Sequence, residues 1–263
     1  MTALLRTDRV SKAFGGVQAL NDCTIEVEQG GIAGLIGPNG SGKTTLFNMI
    51  TGYGRVDSGD VYLNDTKITN LAPDKVFTRG IGRTFQLTRV FSRLTVMENM
   101  IVAAHHKERS SQQGGGWFRN PFARAGGSAT RRRAMELLEF TGIAKLAGDR
   151  ADTLSYGQRK LLELSYVLIA DPEIILLDEP AGGVNPTLIG TIADRIRELN
   201  RQGTTFLIVE HNMEFVMGLC DQVTVLDNGT AVVSGPPDMV RNDHRVLDAY
   251  LGTAEEDDDD SAA

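Results

Sequence analysis

The chain has 263 residues, 41% hydrophobic and 23% charged, enough for one large or two small domains with a real core. Its net charge is −7, but Glu255–Asp260 supply six of the negative charges, so the rest is nearly neutral and lacks the overall basicity of a nucleic-acid binder. No stretch of about 18 apolar residues occurs, so no bilayer span is expected and any membrane role must pass through partner chains.

The first residues, Met1–Arg6, show no secretory pattern. Cys23 and Cys220 fit no disulfide or metal-ligand spacing and read as buried small hydrophobes in a reducing compartment. Residues 1–30 are expected to form strands and turns. Thr24-Ile25-Glu26-Val27-Glu28 alternates as a half-buried strand does, and Phe14-Gly15-Gly16 interrupts the first strand region.

Gly31–Ile36 is a short apolar run that reads as a buried strand, and Thr44–Ile50 opens a helix. Between them, Gly37-Pro38-Asn39-Gly40-Ser41-Gly42-Lys43-Thr44 matches G-x-x-x-x-G-K-[ST], a loop whose backbone amides wrap a nucleotide's phosphates. Lys43 would reach the β- and γ-phosphates and Thr44 would hold Mg²⁺, with the helix N-terminus facing the anion. Phe14, upstream, then has two readings, stacking on adenine or ordinary packing.

Residues 59–65 read as a strand ending in a turn. Gln86 ends a strand-like run and leads into apolar residues around Leu94–Met97, which are either a small helical core or a docking surface. Residues 105–133 are basic and Gly-rich, with Trp117 and Phe118; they read as a mobile solvated insertion, the alternative being a lipid-headgroup contact. A helix is expected over Arg133–Phe140, ending before Gly142. Ser155 has the chemistry of an N-cap, with Gln158 three residues on, before a helix over Arg159–Ala170.

Glu173–Asp178 is a buried-strand run that ends in two carboxylates, Asp178 and Glu179. Parallel α/β sheets carry chemistry at such strand ends, so Asp178 is a candidate Mg²⁺ ligand and Glu179 a candidate to polarise water. An amphipathic helix over 187–202 shows Leu188, Ile192, Ile196 and Leu199 on one stripe. The strand Thr204–Val209 leads to Glu210-His211, where His211 is a candidate γ-phosphate or water contact. A hairpin with an Asn228-Gly229 turn follows.

Taken in order, these residues resemble the ATP-binding subunit of an ABC transporter. The phosphate loop is Gly37–Thr44, the glutamine loop Gln86, the signature Leu154-Ser155-Tyr156-Gly157-Gln158, the acidic strand Ile174–Asp178 with Glu179 next, the D-loop Ala181–Pro186, and the switch histidine His211. Within that family, Arg83-Thr84-Phe85-Gln86, Ala181-Gly182-Gly183-Val184-Asn185-Pro186, Val209–Met213 and Ala249-Tyr250-Leu251-Gly252 look like the subfamily that serves branched-chain amino-acid importers. Tyr156 and Asn185 depart from the general pattern, where Gly and Asp stand, but are usual in that subfamily.

The resemblance implies an α/β P-loop NTPase fold: a RecA-like core with a mixed, largely parallel sheet, an antiparallel β subdomain and an α-helical subdomain. It implies one cassette over 4–252, with 4–86 and 171–235 as core and β subdomain, about 87–170 as helical subdomain, 236–252 as a C-terminal helix, and 253–263 as an acidic disordered tail. It assigns catalysis to Glu179, His211 and Lys43. ATP contacts would come from Phe14, Gly37, Pro38, Asn39, Gly40, Ser41, Gly42, Lys43, Thr44, Thr45, Ser155, Gly157 and Gln158, and Mg²⁺ contacts from Thr44, Gln86 and Asp178. The partners it implies are a second ATP-binding subunit, head to tail, two integral membrane permease chains and an extracytoplasmic solute-binding protein, with the chain on the cytoplasmic face of the membrane. Urea or amide import, lipid export and a soluble ABC ATPase stand as the alternatives.

Overall fold

The computed structural model describes residues 3–85, 90–111 and 127–250. Gln86, Trp117, Phe118 and the acidic tail lie outside the described residues. Strands β1 (Ala3–Phe14) and β2 (Val17–Glu28) pair antiparallel around Gly15-Gly16, so the interruption at Phe14 is a hairpin turn. The expected alternation holds in β2: Cys23, Ile25 and Val27 are buried while Thr24, Glu26 and Glu28 are exposed. Strand β3 (Ile32–Ile36) departs to a second sheet, and β4 (Ser58–Leu63) and β5 (Thr66–Lys67) complete the first, in the order β2-β1-β4-β5.

The second sheet adds β6 (Ile81–Arg83), β7 (Ile174–Asp178), β8 (Thr205–Val209), β9 (Gln222–Asp227) and β10 (Thr230–Gly235), in the order β10-β9-β3-β8-β7-β6. β9, β3, β8, β7 and β6 run parallel; β10 turns back antiparallel at Asn228-Gly229. Every residue of β3, β7 and β8 is buried, as a parallel sheet covered on both faces requires. The period of two then splits each strand between two cores. Ile175, Leu177, Phe206 and Ile208 face one core. Ile174, Leu176, Leu207 and Val209 face the other.

The second of these cores joins α1 (Lys43–Ile50), through Leu46, Phe47, Met49 and Ile50, to the inner residues of both sheets. The short helix α2 (Pro73–Thr78) adds Val76 to it. The first core receives α3 (Val96–Ser111), α4 (Ser128–Thr141), α5 (Tyr156–Leu168), α6 (Pro186–Arg201), α7 (Met213–Leu219) and α8 (Pro237–Arg241). Burying Val96 and Met100 there makes that segment a small helical core, while Phe91 before it stays exposed.

Three boundaries differ from expectation. α4 begins at Ser128 instead of Arg133 and α3 runs to Ser111, so the described ends of the basic segment are helix, built from Ser, Ala and Arg that favour a helix once its apolar face packs. α5 starts at Tyr156, directly after its cap. The expected C-terminal helix breaks into α8 and α9 (244–250) at Asn242-Asp243, where the Asp243 carboxylate takes the Arg245 backbone N–H at 3.0 Å. Both cysteines are buried, and burial pushes each thiol up to about 12.

Candidate active site

Parallel pairing sets the carboxyl ends of β3, β8, β7 and β6 along one edge of the sheet. That edge gathers the loop 37–42, then Glu210-His211, then Asp178-Glu179, then Thr84-Phe85, from four distant stretches of chain.

The loop from β3 to α1 needs glycine at two closely packed points. Gly37 has φ +148°, and a Cβ there would overlap the Leu226 carbonyl oxygen; Gly42 has φ +100° and caps α1 against the Ala19 carbonyl. Lys43 is buried and its ammonium donates to the carbonyls of Gly37 at 2.9 Å and Pro38 at 2.7 Å and to Ser41 Oγ at 3.3 Å. Burial holds its pKa below the ordinary lysine value, and the nearby Glu179 carboxylate opposes the shift. Asn39, Gly40 and Thr44 are exposed and Thr45 is half-buried. The first-turn amides of α1 have no acceptor within the helix, which is what a polyphosphate needs.

Asp178 ends β7 and is nearly fully buried. Its Oδ2 accepts from Arg83 Nη2 at 2.9 Å, with side-chain exposures of 5% and 7% for Arg83 and Asp178. Arg83 Nη1 also donates to Asn48 Oδ1 of α1 and to Oγ1 of Thr51, which caps the end of that helix, at 2.8 and 2.9 Å. Glu179 follows with φ +48°, a left-handed backbone for a non-glycine residue. Its Oε1 meets His211 Nε2 at 2.9 Å, and His211 stays solvent-exposed. Two buried charges complete the surroundings. Lys160 Nζ donates to the Glu179 carbonyl at 3.0 Å. The Glu210 carboxylate accepts from the amides of Ala181, His211 and Asn212 at 2.6, 2.9 and 3.1 Å.

Among the described residues no group of three or more His, Cys, Asp and Glu could hold a metal ion. The oxygens on offer are Thr44 and Asp178, with Gln86 outside the described residues. So sparse a set fits Mg²⁺, which takes one or two protein oxygens and fills its octahedron with phosphate and water.

Ser155, Gly157 and Gln158 open α5. Ser155 Oγ accepts the Gln158 amide at 3.3 Å and Gln158 Oε1 accepts the Ser155 amide at 2.8 Å, a reciprocal capping box. Gly157 packs against Leu188 of α6. Phe14 is 55% exposed with the Lys12 ammonium 5.2 Å above its ring, so it is not packed in the core. Arg83, Lys160 and Glu210 were given no role from sequence. Arg83 and Glu210 carry only a weak signal, a charge at the end of a strand, which demands a buried partner without naming it, and Lys160, after Gln158 and Arg159, carries none. Tyr250 of α9 is a further case: burial raises its phenol pKa, opposed by a hydrogen bond from the Gly37 backbone amide at the head of the loop.

A family model described as "ABC transporter" matches residues 20–182, and one described as "Branched-chain amino acid ATP-binding cassette transporter" matches residues 232–256. The chain is 38% identical over 252 residues to the high-affinity branched-chain amino acid transport ATP-binding protein LivG of Escherichia coli (strain K12), covering 95% of this chain and 98% of that one. It is 34% identical to BraF of Pseudomonas aeruginosa, with the same coverage. Among solved structures, the ADP conformation of an ATP-binding cassette of an ABC transporter superposes with a TM-score of 0.83 at 34% identity, covering 96% of this chain and 100% of that one.

Proposed function

The chain belongs to the ABC transporter family, and from that membership we propose that it powers import of branched-chain amino acids through membrane partner chains, with Lys43, Asp178, Glu179 and His211 as the working residues of its ATPase site. The observation that carries the assignment is their convergence on one sheet edge, with Glu179 and His211 in contact at 2.9 Å.

Lys43 exchanges the Gly37 and Pro38 carbonyls for β- and γ-phosphate oxygens, while the α1 amides cradle the chain of phosphates. Thr44 and Asp178 would hold Mg²⁺, which would supply positive charge against that building up on the phosphate oxygens. Glu179 orients a water toward the γ-phosphorus and accepts its proton. The bond from phosphorus to the β,γ-bridging oxygen breaks, and ADP leaves with the electron pair. His211 holds Glu179 through Nε2 and borders the departing phosphate.

On this reading Ser155 and the N-terminus of α5 complete an anion site on a second copy or a related subunit, head to tail. Two permease chains, an extracytoplasmic solute-binding protein and a location on the cytoplasmic face of the membrane belong to the same reading. It is supported by the transport proteins that the chain resembles over 95% of its length, by the match at 232–256, and by the lack of any described helix long and apolar enough to cross a membrane.

Glu179→Gln tests the site. It should keep ATP binding, form an ATP-dependent dimer by size-exclusion chromatography, and lose turnover by about 10²-fold or more. Normal turnover would remove Glu179 from its role. Affinity capture of this variant from native membranes with ATP and Mg²⁺ tests the rest. Two polytopic membrane proteins and a solute-binding protein that takes branched-chain amino acids are the expected companions; soluble or ribosomal companions alone would sink the importer reading.

A further inference from the structure

The turn that presents Glu179 is held from both sides by buried charge. Glu179 sits at φ +48°, a conformation that costs an L-residue on the order of 1 kcal/mol and persists only where the surroundings impose it. Its N–H donates to the Val209 carbonyl at 2.9 Å, anchoring the turn to β8. Its own carbonyl receives the Lys160 ammonium at 3.0 Å, from a side chain on α5 that is 7% exposed. Two residues on, the Ala181 amide donates to Glu210 Oε1 at 2.6 Å. Glu210 is 2% exposed, and its other oxygen takes the amides of His211 and Asn212.

One carboxylate therefore ties the backbone on the Glu179 side to the backbone that carries His211, and the two side chains meet between those ties. Three amide donors on one buried carboxylate fix its orientation. An apolar residue of the same size would leave three backbone N–H groups without that acceptor, the one of Ala181 buried. Cation and anion pull on opposite ends of the same three-residue turn, the carbonyl of 179 and the amide of 181.

We propose that Glu210 and Lys160 are positioning residues for ATP hydrolysis: together they set the backbone of the Glu179 turn, and Glu210 also sets that of His211, while neither contacts the nucleotide. The proposal rests on the reading of Glu179 as the residue that orients water. Lys160 adds a second consequence. It stands one turn into α5, whose first residues complete the site of the apposed subunit, so the backbone of Glu179 is tied in its own chain to the helix that senses the neighbour's nucleotide.

The test is steady-state ATP hydrolysis by the full chain, read as kcat and KM separately, with Glu179→Gln as a control. Glu210→Gln keeps the shape but turns an amide NH₂ toward one of the backbone N–H groups. It should lower kcat by about tenfold or more, with KM for ATP within about threefold, since an ångström of misplacement is costly for chemistry and not for phosphate binding. Lys160→Met should do the same, and Lys160→Arg, which can still reach the carbonyl, should recover at least about a third of the kcat. Glu210→Gln added to Glu179→Gln should leave the ATP-dependent dimer intact. A Glu210→Gln kcat within about twofold of the parent, or kcat and ATP affinity lost together with the dimer, overturns the proposal. Turnover by Glu179→Gln at the parent rate overturns both readings; an inactive Glu179→Gln beside an unimpaired Glu210→Gln overturns this one alone.

Discussion

Arg83 joins three elements with one guanidinium. It ends β6, donates once to α1, once to the residue that caps that helix and once to Asp178 at the end of β7, and lies over the rings of Phe47 and Phe85 at 5.5 and 4.9 Å. With both partners nearly dry, solvent screening does little to weaken the ion pair, yet its net worth is set against a large desolvation cost. Removing one partner is another matter, because the other charge stays buried. Arg83→Met is therefore expected to cost about 3–5 kcal/mol, measured by urea unfolding at constant m-value; a cost below about 1 kcal/mol would mean that water reaches Asp178. The sequence places the charges but cannot pair them. Lys43, Asp178, Glu179 and His211 were legible because phosphate chemistry dictates their types and the strand ends dictate their places. The partners of Arg83 and Glu210 were not, since Asp178 lies 95 residues from Arg83 and Ala181 lies 29 from Glu210.

At the level of one helix, Ser155 can serve two tasks because a hydroxyl both accepts and donates. As the cap of α5 its oxygen accepts the Gln158 amide, which leaves the O–H proton to donate outward. Aspartate caps as well as serine but can only accept. Ser155→Asp should thus leave thermal stability within about 1 kcal/mol of the parent while abolishing ATP-dependent dimers, because a carboxylate then faces a phosphate. Dimers that survive the change would detach Ser155 from the γ-phosphate. Ser155-Tyr156-Gly157-Gln158 announced this cap correctly. The start of α4 did not announce itself: Gly127 offers no side-chain cap, and the arginines after it resemble those of a loop. Thr95 and Glu98 cap α3 reciprocally, with Glu98 Oε2 on the Thr95 amide at 2.8 Å, a spacing the sequence carries as plainly as the one at 155.

For the molecule as a whole, apolar runs identified the buried strands, and their turns identified the hairpins. The order of the strands was beyond local pattern, since a parallel neighbour is set by packing across the whole chain. That order has a consequence for biosynthesis. β3, whose five residues are all buried, pairs only with β8 and β9. Its register partner for Ile32 is Phe206, so about 170 further residues must be translated before either neighbour exists, roughly 10–35 s at ribosomal speed. Until then the phosphate loop hangs from an unpaired apolar strand, the kind of nascent segment that chaperones hold. A chain released after residue 204 should bind no ATP by equilibrium dialysis and should be cut readily by protease near β3; protection there would show that the first sheet and α1 shelter the strand alone. The phosphate loop is written early and is among the last parts of this protein that can form.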